Sequence, residues 1–519
     1  MISIQKKTQC CGCQSCRQAC PCDCIEMQPD EEGFLYPEVD REKCIGCDLC
    51  NKVCPIETAA LIKATESKGN PSAFGGWHKD EEIRRESSSG GAFTLFAEEI
   101  IKNGGKVFGC TLDSDMKAVH IGVDNIADLA ALRGAKYVQS DIAETYKEVK
   151  DALEMGRQVL FVGTPCQAAG LYSFMGNMPK ENLYIVDIIC HGVPSPKVFA
   201  DYIKAEERKE GSKIIAYKFR NKDKGWSQTG FQLGTLSEYA DGTSIRKYPA
   251  FKDKYMNAFL DDVCLRPSCY ECSFKNIPKA YADFTIADFW GVDKVTEGLN
   301  DKKGTSLILV NTDHGKRLWD KVRDAFEYKE VVYEEATKRN LPLVKSAKLS
   351  PRRDEFFADY QSKGYEYVEK KYMSAAIWGW HKALSILDSL WSRFGQFIKF
   401  GIVGCTNTVV NLAVYYLCLH LGAYYLVAYT LGFLVSVCNA FFWNNKYVFK
   451  NKQEKSLLRA FIKVLASYGV SFILSVLLMS VMVEMLKISS VIAPLLKMVI
   501  TIPFNFVFNK VWAFKDKKV

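Results

Sequence analysis

Cys10-Cys11-Gly12-Cys13-Gln14-Ser15-Cys16-Arg17-Gln18-Ala19-Cys20-Pro21 and Cys44-Ile45-Gly46-Cys47-Asp48-Leu49-Cys50-Asn51-Lys52-Val53-Cys54-Pro55 are two copies of one pattern, Cys-x2-Cys-x2-Cys-x3-Cys-Pro. That spacing belongs to thiolates holding two 4Fe-4S clusters. Three close cysteines wrap one corner of a cubane, and the fourth iron takes its ligand from the other run. Cys10, Cys13, Cys16 and Cys54 are therefore expected on one cluster, and Cys44, Cys47, Cys50 and Cys20 on the other.

The alternative is a pair of zinc sites. Zinc takes two Cys-x2-Cys pairs per site and has no use for a triple followed by Cys-Pro. Cys11, Cys22 and Cys24 fall outside the pattern and read as non-ligands. Residues 1–62 are thus expected to form a bacterial two-cluster ferredoxin domain of α+β type, organised around metal.

The rest of the chain is unlike this start. Its 519 residues exceed what one core usually supports, so two or three domains are expected. Twenty cysteines behind an N-terminus with no apolar leader suit a reducing, cytosolic body in which cysteine serves metal or redox chemistry. Apolar residues, 48% overall, gather after Phe397. The net charge of +8 comes from spread-out lysines and arginines with a local excess beside that apolar tail, which favours a membrane face over nucleic acid.

Between about 70 and 210, helical and strand patterns alternate. Amphipathic Ala92–Asn103 is stopped by Gly104-Gly105. The strand Lys106–Cys110, helical Ile142–Met155, the strand Val159–Val162, helical Gln167–Met175, the strand Leu183–Ile189 and helical Lys197–Glu210 follow. This predicts an α/β domain with a mostly parallel sheet. Residues 213–250 look β-rich around an Asp241-Gly242 turn, and Thr305–Asn311 offers a further strand. From about 340 to 395 a charged helical connector is expected, its last part (371–396) amphipathic and interfacial, with Trp378, Trp380 and Trp391 beside Leu384 and Leu387.

Residues 397–519 contain apolar segments at 397–419, 424–446, 460–483 and 491–512, each about the twenty residues a bilayer-spanning helix needs. An all-α four-helix transmembrane domain is expected. Asn444-Asn445-Lys446-Tyr447-Val448-Phe449-Lys450 and Asn509-Lys510-Val511-Trp512-Ala513-Phe514-Lys515 end the second and fourth segments alike, as a duplicated hairpin would. Lys450, Lys452, Lys455, Arg459 and Lys463 between the second and third segments, with Lys515, Lys517 and Lys518 at the end, place both termini in the cytosol of a multi-pass bacterial membrane protein. Asn407, Asn411, Asn439, Asn444, Asn505 and Asn509 bring amides into the apolar region, for interhelical hydrogen bonds or for a sugar or phosphate. Lys497 is the ionisable residue well inside a span.

Two further features sit in the α/β region. Cys166 and Cys190 each follow an apolar strand and would emerge at the carboxyl edge of a parallel sheet, where ligands bind. Cys264-x4-Cys269-x2-Cys272 adds a chelating pair and a spare. Ordinary burial is the competing explanation for such cysteines. Ser87-Ser88-Ser89-Gly90-Gly91 opens a helix, where amides and hydroxyls can meet a phosphate, and a solvated loop fits as well.

Taken together, Arg85-x-Ser87-Ser88-Ser89-Gly90-Gly91, Gly134-Ala135-Lys136-Tyr137, Gly163-Thr164-Pro165-Cys166-Gln167, Cys190-His191-Gly192 and Ala287-Asp288-Phe289-Trp290-Gly291 resemble the coenzyme F-420 hydrogenase/dehydrogenase beta-subunit family over residues 72–370. The resemblance implies a flavoprotein with a third 4Fe-4S cluster, held by Cys166, Cys190, Cys269 and Cys272, and FAD near Ser87, Ser88, Ser89, Gly90, Gly91 and Lys136. Phe400-Gly401-Ile402-Val403-Gly404-x2-Asn407-Thr408 and the paired Asn-rich ends resemble the GtrA-like membrane family, which implies a link to polyprenyl-phosphate sugars in surface polysaccharide synthesis. The expected whole is a membrane-anchored iron–sulfur flavoprotein oxidoreductase with an electron-carrier protein or reduced cofactor, membrane lipid and a polyprenyl-phosphate sugar as partners. A flippase-like carrier with a redox regulatory body, and a coenzyme F-420 reductase on a passive anchor, are the alternatives.

Overall fold

A computed structural model describes residues 1–57, 70–226, 232–275, 279–374 and 399–444, with scattered residues between 465 and 504. The chain forms two compact units, Met1–Gly379 and Trp380–Val519.

In the first unit the two cysteine runs fold alike. Gly12 and Gly46 have φ of +70° and +71°, Gln14 and Asp48 are left-handed too, and the short helices Ser15–Gln18 and Leu49–Lys52 follow. Glycine is favoured at the first of these positions because a Cβ resists that φ; at Gly12 a Cβ would also strike Gln139 and Arg266 at 2.6 and 2.7 Å. Between the runs lies an antiparallel hairpin of β1 (Ile25–Pro29) and β2 (Leu35–Val39). Its turn is set by Asp30 Oδ1, which accepts from Glu32 N and Phe34 N at 3.1 and 2.8 Å.

This hairpin is built into the body. Phe34 is fully buried among Val198, Phe199, Tyr202 and Leu265, a burial of about 1.5–3 kcal/mol. Gly33 passes so close to the helix Pro196–Glu210 that a Cβ there would lie 2.3 Å from Lys197 Cβ.

The body's main sheet has eight strands: β3 (Ser72–His78), β4 (Lys106–Leu112), β5 (Ala118–Val123), β6 (Val159–Gly163), β7 (Leu183–Ile188), β11 (Phe284–Asp288), β12 (Ser306–Val310) and β13 (Phe326–Val331). Their order is β13-β3-β12-β11-β7-β6-β4-β5. The pairs β11–β7, β7–β6 and β6–β4 are parallel; the pairings of β12, β3 and β13 on one side and of β5 on the other are antiparallel. The mostly parallel sheet expected from the sequence is therefore a mixed one. Apolar strands read the same in either sense, and only the helical crossovers between β4, β6 and β7 announce parallel pairing.

Alternation along the central strands explains both layers. Leu160, Tyr184 and Val186 face the helices Ala92–Lys102 and Asp313–Val322, while Val159, Phe161, Leu183 and Ile185 face the helices Thr145–Glu154 and Pro165–Met175. A sheet covered on both faces accounts for continuously apolar strands. The expected β extension is a three-stranded antiparallel sheet, β8 (Ile214–Asn221), β9 (Gly234–Tyr239) and β10 (Ser244–Lys247), in the order β10-β9-β8.

The helices Arg353–Lys363 and Tyr365–Tyr372 differ from the charged connector expected after residue 340. Phe356, Phe357, Tyr360, Val368, Tyr372 and Met373 are buried in the core that holds Phe34. Of the interfacial stretch expected over 371–396, residues 375–396 lie outside the described residues.

In the second unit the helix Lys399–His420, 22 residues with a mean hydropathy of 1.6, is long and apolar enough to cross a membrane. The helix Tyr425–Trp443 follows. Asn439 Nδ2 donates to Asn407 Oδ1 at 2.7 Å, so two of the expected amides join these helices. Most of the third and fourth expected segments, with Lys497, Asn505 and Asn509, lies outside the described residues.

Candidate iron–sulfur and flavin site

The two cysteine runs cross over in space. Burial raises the Cys16 thiol well above its ordinary range, and the nearby Cys13, Cys10 and Cys54 raise it further. Cys54, pushed up to about 11 first by burial, feels Cys13 and Cys10 in turn. Thiols this buried and this close resist ionisation by themselves and are stabilised as thiolates by a metal. Cys20, Cys44, Cys47 and Cys50 line a separate cavity together with Cys22 and Cys24. Ile2 N donates to Cys50 Sγ at 3.2 Å, and Cys24 Sγ lies 3.3 Å from Cys20 Sγ.

Among the described residues no three His, Cys, Asp or Glu side chains close around a single ion. A tetrahedral zinc with Zn–S near 2.3 Å needs sulfurs about 3.8 Å apart. In a cubane each thiolate binds a different iron, so its ligands stand further apart. The donor set, two Cys-x2-Cys-x2-Cys-x3-Cys-Pro runs that exchange their fourth cysteines, fits clusters.

Cys166, Cys190, Cys269 and Cys272 line one pocket. Adjacent parallel strands β6 and β7 deliver the first two to the same sheet edge. After β6, Thr164 caps the helix Pro165–Met175; Thr164 N donates to Gln167 Oε1 at 3.0 Å, and Thr164 Oγ1 lies 3.2 Å from Cys166 Sγ. Gln167 Nε2 donates to Ser140 Oγ at 2.9 Å, which in turn lies 3.0 Å from His120 Nδ1. His120 Nε2 donates to Val162 O at 3.1 Å. Burial takes this imidazole down to about 4, so it stays neutral.

Cys269 accepts from Val193 N at 3.4 Å, and Lys275 Nζ donates to Cys190 O. Gly192 has no room for a side chain: a Cβ would lie 2.8 Å from Leu265 and 3.3 Å from Cys269. The spare, Cys264, is buried in the body core instead.

Cys11, read from the sequence as a bystander, lies between two thiol sets. It lines this pocket, and its thiol interacts electrostatically with those of both Cys13 and Cys166. That interaction is the main reason the Cys166 thiol falls to about 6.

The segments expected around a flavin also meet. Ala135 N donates to Ser88 Oγ at 2.7 Å, which joins the Ser87–Gly91 loop to the Lys136 segment. Much of the loop's polarity is used internally: Ser87 Oγ donates to Ile83 O, Ser89 Oγ to Thr305 O, and Gly90 N to Ser306 Oγ. Gly91, at φ +91°, opens the helix Ala92–Lys102.

Lys136 Nζ donates to the carbonyls of Ala131 and Arg133, and burial lowers it to about 8. Two residues that sequence reading missed complete the cluster. Lys222 Nζ donates to Ser89 O, Arg84 O and Lys303 O at 2.7–3.1 Å, and is lowered to about 7, first by burial and then by Arg84 and Arg220. Arg220 pairs with Asp288 at the end of β11, while its buried Nη2 has no hydrogen-bond partner. A buried guanidinium arm without an acceptor, beside a lysine that a neighbouring anion would keep protonated, fits an anionic ligand such as the phosphates of FAD.

Comparison with known proteins follows the same divisions. Residues 37–58 match a 4Fe-4S binding domain, residues 156–335 match the C terminus of the coenzyme F420 hydrogenase/dehydrogenase beta subunit, and residues 399–514 match the GtrA/DPMS transmembrane domain. The cell wall teichoic acid glycosylation protein GtcA of Listeria monocytogenes is 32% identical over 121 residues, which cover 22% of this chain and 83% of that protein. The chain belongs to the GtrA/DPMS family. Its GtrA/DPMS region is fused to a body of the coenzyme F420 hydrogenase/dehydrogenase beta-subunit kind with a ferredoxin-like start.

Two other proteins resemble the GtrA/DPMS region. GtcA of Listeria innocua is 30% identical, with 26% of this chain and 96% of that protein covered, and the membrane protein YngA of Bacillus subtilis is 26% identical, with 23% and 78% covered. A solved F420-reducing [NiFe] hydrogenase complex from Methanosarcina barkeri aligns over 58% of this chain and 91% of its own at 18% identity, with a TM-score of 0.36, too distant for anything to rest on it. The fusion is a membrane-anchored redox protein.

Proposed function

We propose that the protein is an iron–sulfur flavoprotein oxidoreductase that works at the cytosolic membrane face on glycan or polyprenyl-linked metabolism. The observation that carries this reading is the gathering of Cys166, Cys190, Cys269 and Cys272 in one pocket, with Cys11 joining it to the Cys10–Cys54 set. When bound, the clusters supply one-electron chemistry and the flavin two-electron chemistry.

The chain's own residues hold and shield these groups. Cys10, Cys13, Cys16 and Cys54, then Cys44, Cys47, Cys50 and Cys20, serve the two ferredoxin clusters, and the β6–β7 edge cysteines serve the third. Arg220, Lys222 and Lys136 would bind the anionic part of FAD beside the Ser87–Gly91 loop. The four-helix tail keeps the body at the bilayer with both termini in the cytosol. The teichoic acid glycosylation role in the names of the GtcA relatives favours a lipid-linked sugar or glycan precursor as substrate.

The test is an anaerobic titration of the full chain with a reduced low-potential donor. Flavin absorbance is expected to bleach in the native protein, whereas in Cys166→Ser the ferredoxin clusters reduce and the flavin stays oxidised. Flavin bleaching at the native rate in that variant would refute the reading.

The relatives also favour a second reading, because they match the tail alone. In it the tail carries a polyprenyl-phosphate sugar and the redox body regulates it. Transport that persists in Cys13→Ser and Cys47→Ser would support that carrier. A coenzyme F-420 reductase on a passive anchor would instead act on soluble deazaflavin after deletion of residues 397–519.

A further inference from the structure

Arg266 carries a positive charge into the interior between the ferredoxin and the third thiol set. Its side chain is fully buried. Nε donates to Cys10 O at 2.8 Å, Nη1 to Gln139 Oε1 at 3.0 Å, and Nη2 to Leu35 O at 2.9 Å and to Cys10 Sγ at 3.5 Å. The ring of Tyr36 covers the guanidinium at 4.3 Å.

Apart from the sulfur, every one of these partners is neutral, and among the described residues no carboxylate forms an ion pair with Arg266. A guanidinium does not give up its proton at any ordinary pH, so a buried one needs a counter-charge. Its electrostatic reach takes in the thiols of Cys10, Cys11, Cys269 and Cys166 and the Tyr36 phenol. Of these thiols, Cys10 is the one whose sulfur accepts a hydrogen bond from Arg266, and a thiolate held by a cluster would supply the missing counter-charge.

Among its described lining residues the second ferredoxin cavity has no buried cation. Its positive group is the Met1 amino group, which is exposed and is paired with the one carboxylate there, Asp48, at 3.0 Å. Cys47 there is exposed. Potentials of iron–sulfur sites rise with hydrogen bonds to sulfur and with nearby positive charge.

We infer that Arg266 is the fixed counter-charge of the site formed by Cys10, Cys13, Cys16 and Cys54, and that it makes this site the more easily reduced of the two ferredoxin sites. Arg266 is thus a positioning residue. It favours residence of an electron on the side where Cys11 meets Cys166, and it holds the ferredoxin on the loop that carries Cys269. The inference rests on the cluster reading above.

The experiment is a redox titration monitored by electron paramagnetic resonance on the anaerobically purified full chain and three variants. Arg266→Gln removes the charge. Gln139→Glu keeps the arginine and its neighbours' shape but sets a carboxylate against it. Arg266→Lys keeps the charge.

One couple is expected to become harder to reduce by roughly tenfold, 59 mV for one electron, in both Arg266→Gln and Gln139→Glu, and to return toward the native value in Arg266→Lys. Unshifted couples in both charge-altering variants, or an Arg266→Lys shift equal to that of Arg266→Gln, would overturn the inference. If Arg266→Gln does not assemble, Gln139→Glu decides alone by the same criterion. Native protein without cluster signals would overturn the cluster reading itself, an outcome distinct from unmoved potentials.

Discussion

Arg353 donates through both arms of its guanidinium to the carboxylate of Glu32, at 3.0 and 2.5 Å, across 321 residues of sequence, and both groups are buried. Its Nε and Nη2 also donate to Leu265 O at 3.2 and 3.0 Å. One side chain thereby pins the ferredoxin hairpin to the loop that leads to Cys269. Removing one partner of a buried pair leaves the other uncompensated. Arg353→Ala is expected to destabilise the first unit by about 3–5 kcal/mol, read as a lower midpoint in denaturant unfolding of the full chain. Replacing both residues with apolar ones of similar volume should recover much of the loss.

Gly170 sets how closely the helix Pro165–Met175 approaches the first cysteine run. A Cβ there would lie 2.8 Å from Ser15 Oγ, 3.0 Å from Cys13 Cβ and 3.1 Å from the Tyr146 hydroxyl, and none of these is the free end of a long chain. Gly170→Ala is therefore expected to displace the Cys13 loop and lower iron content, despite the ordinary helix preference for alanine. Iron analysis with thermal unfolding checks this.

Cys11 and Cys13 lie two positions apart in sequence and their thiols interact, yet only Cys13 belongs to the ligand pattern. Cys11→Ala is expected to keep about twelve irons per chain, while Cys13→Ser loses about four. Because Cys11 links Cys13 to Cys166, Cys11→Ala should slow flavin reduction in rapid-mixing absorbance measurements even with iron intact.

His120 supplies a pH dependence. It is buried and neutral, with its ordinary value of 6.5 lowered to about 4 by desolvation. Below pH 6.5 the unfolded chain takes up a proton that the folded chain refuses until about pH 4. The stabilisation is therefore complete above pH 6.5 and is lost as pH falls through that window. The loss attributable to His120 is of order 3 kcal/mol at 1.36 kcal/mol per unit. Denaturant unfolding at pH 7 and pH 5 should show a smaller difference for His120→Gln than for the native chain.

Local spacing carried much of this architecture. The Cys-x2-Cys-x2-Cys-x3-Cys-Pro runs announced themselves because a cubane demands closely spaced thiolates, and apolar strands read at 106–110, 159–162 and 183–189 stood out against amphipathic helices and appear at 106–112, 159–163 and 183–188. What was not legible depends on distant partners. Arg266 and Cys10 are 256 residues apart, and nothing near Arg266 marks it as buried beyond the cysteines on either side of it. Arg220 and Lys222 alternate along β8 and just past its end as a solvated edge would, and their role appears only where this stretch meets Asp288 and Ser89. Phe356, Phe357 and Tyr360 were hidden by the charges around them, since a helix packed on one face keeps its other face polar.

The central claim is that one chain carries three clusters and a flavin. Iron and flavin should be counted together in anaerobically purified full-length protein and in Cys269→Ser. The expected result is about twelve irons and one FAD per native chain, with about four irons lost in the variant. About eight irons, unchanged in Cys269→Ser and with no flavin released by acid, would contradict it.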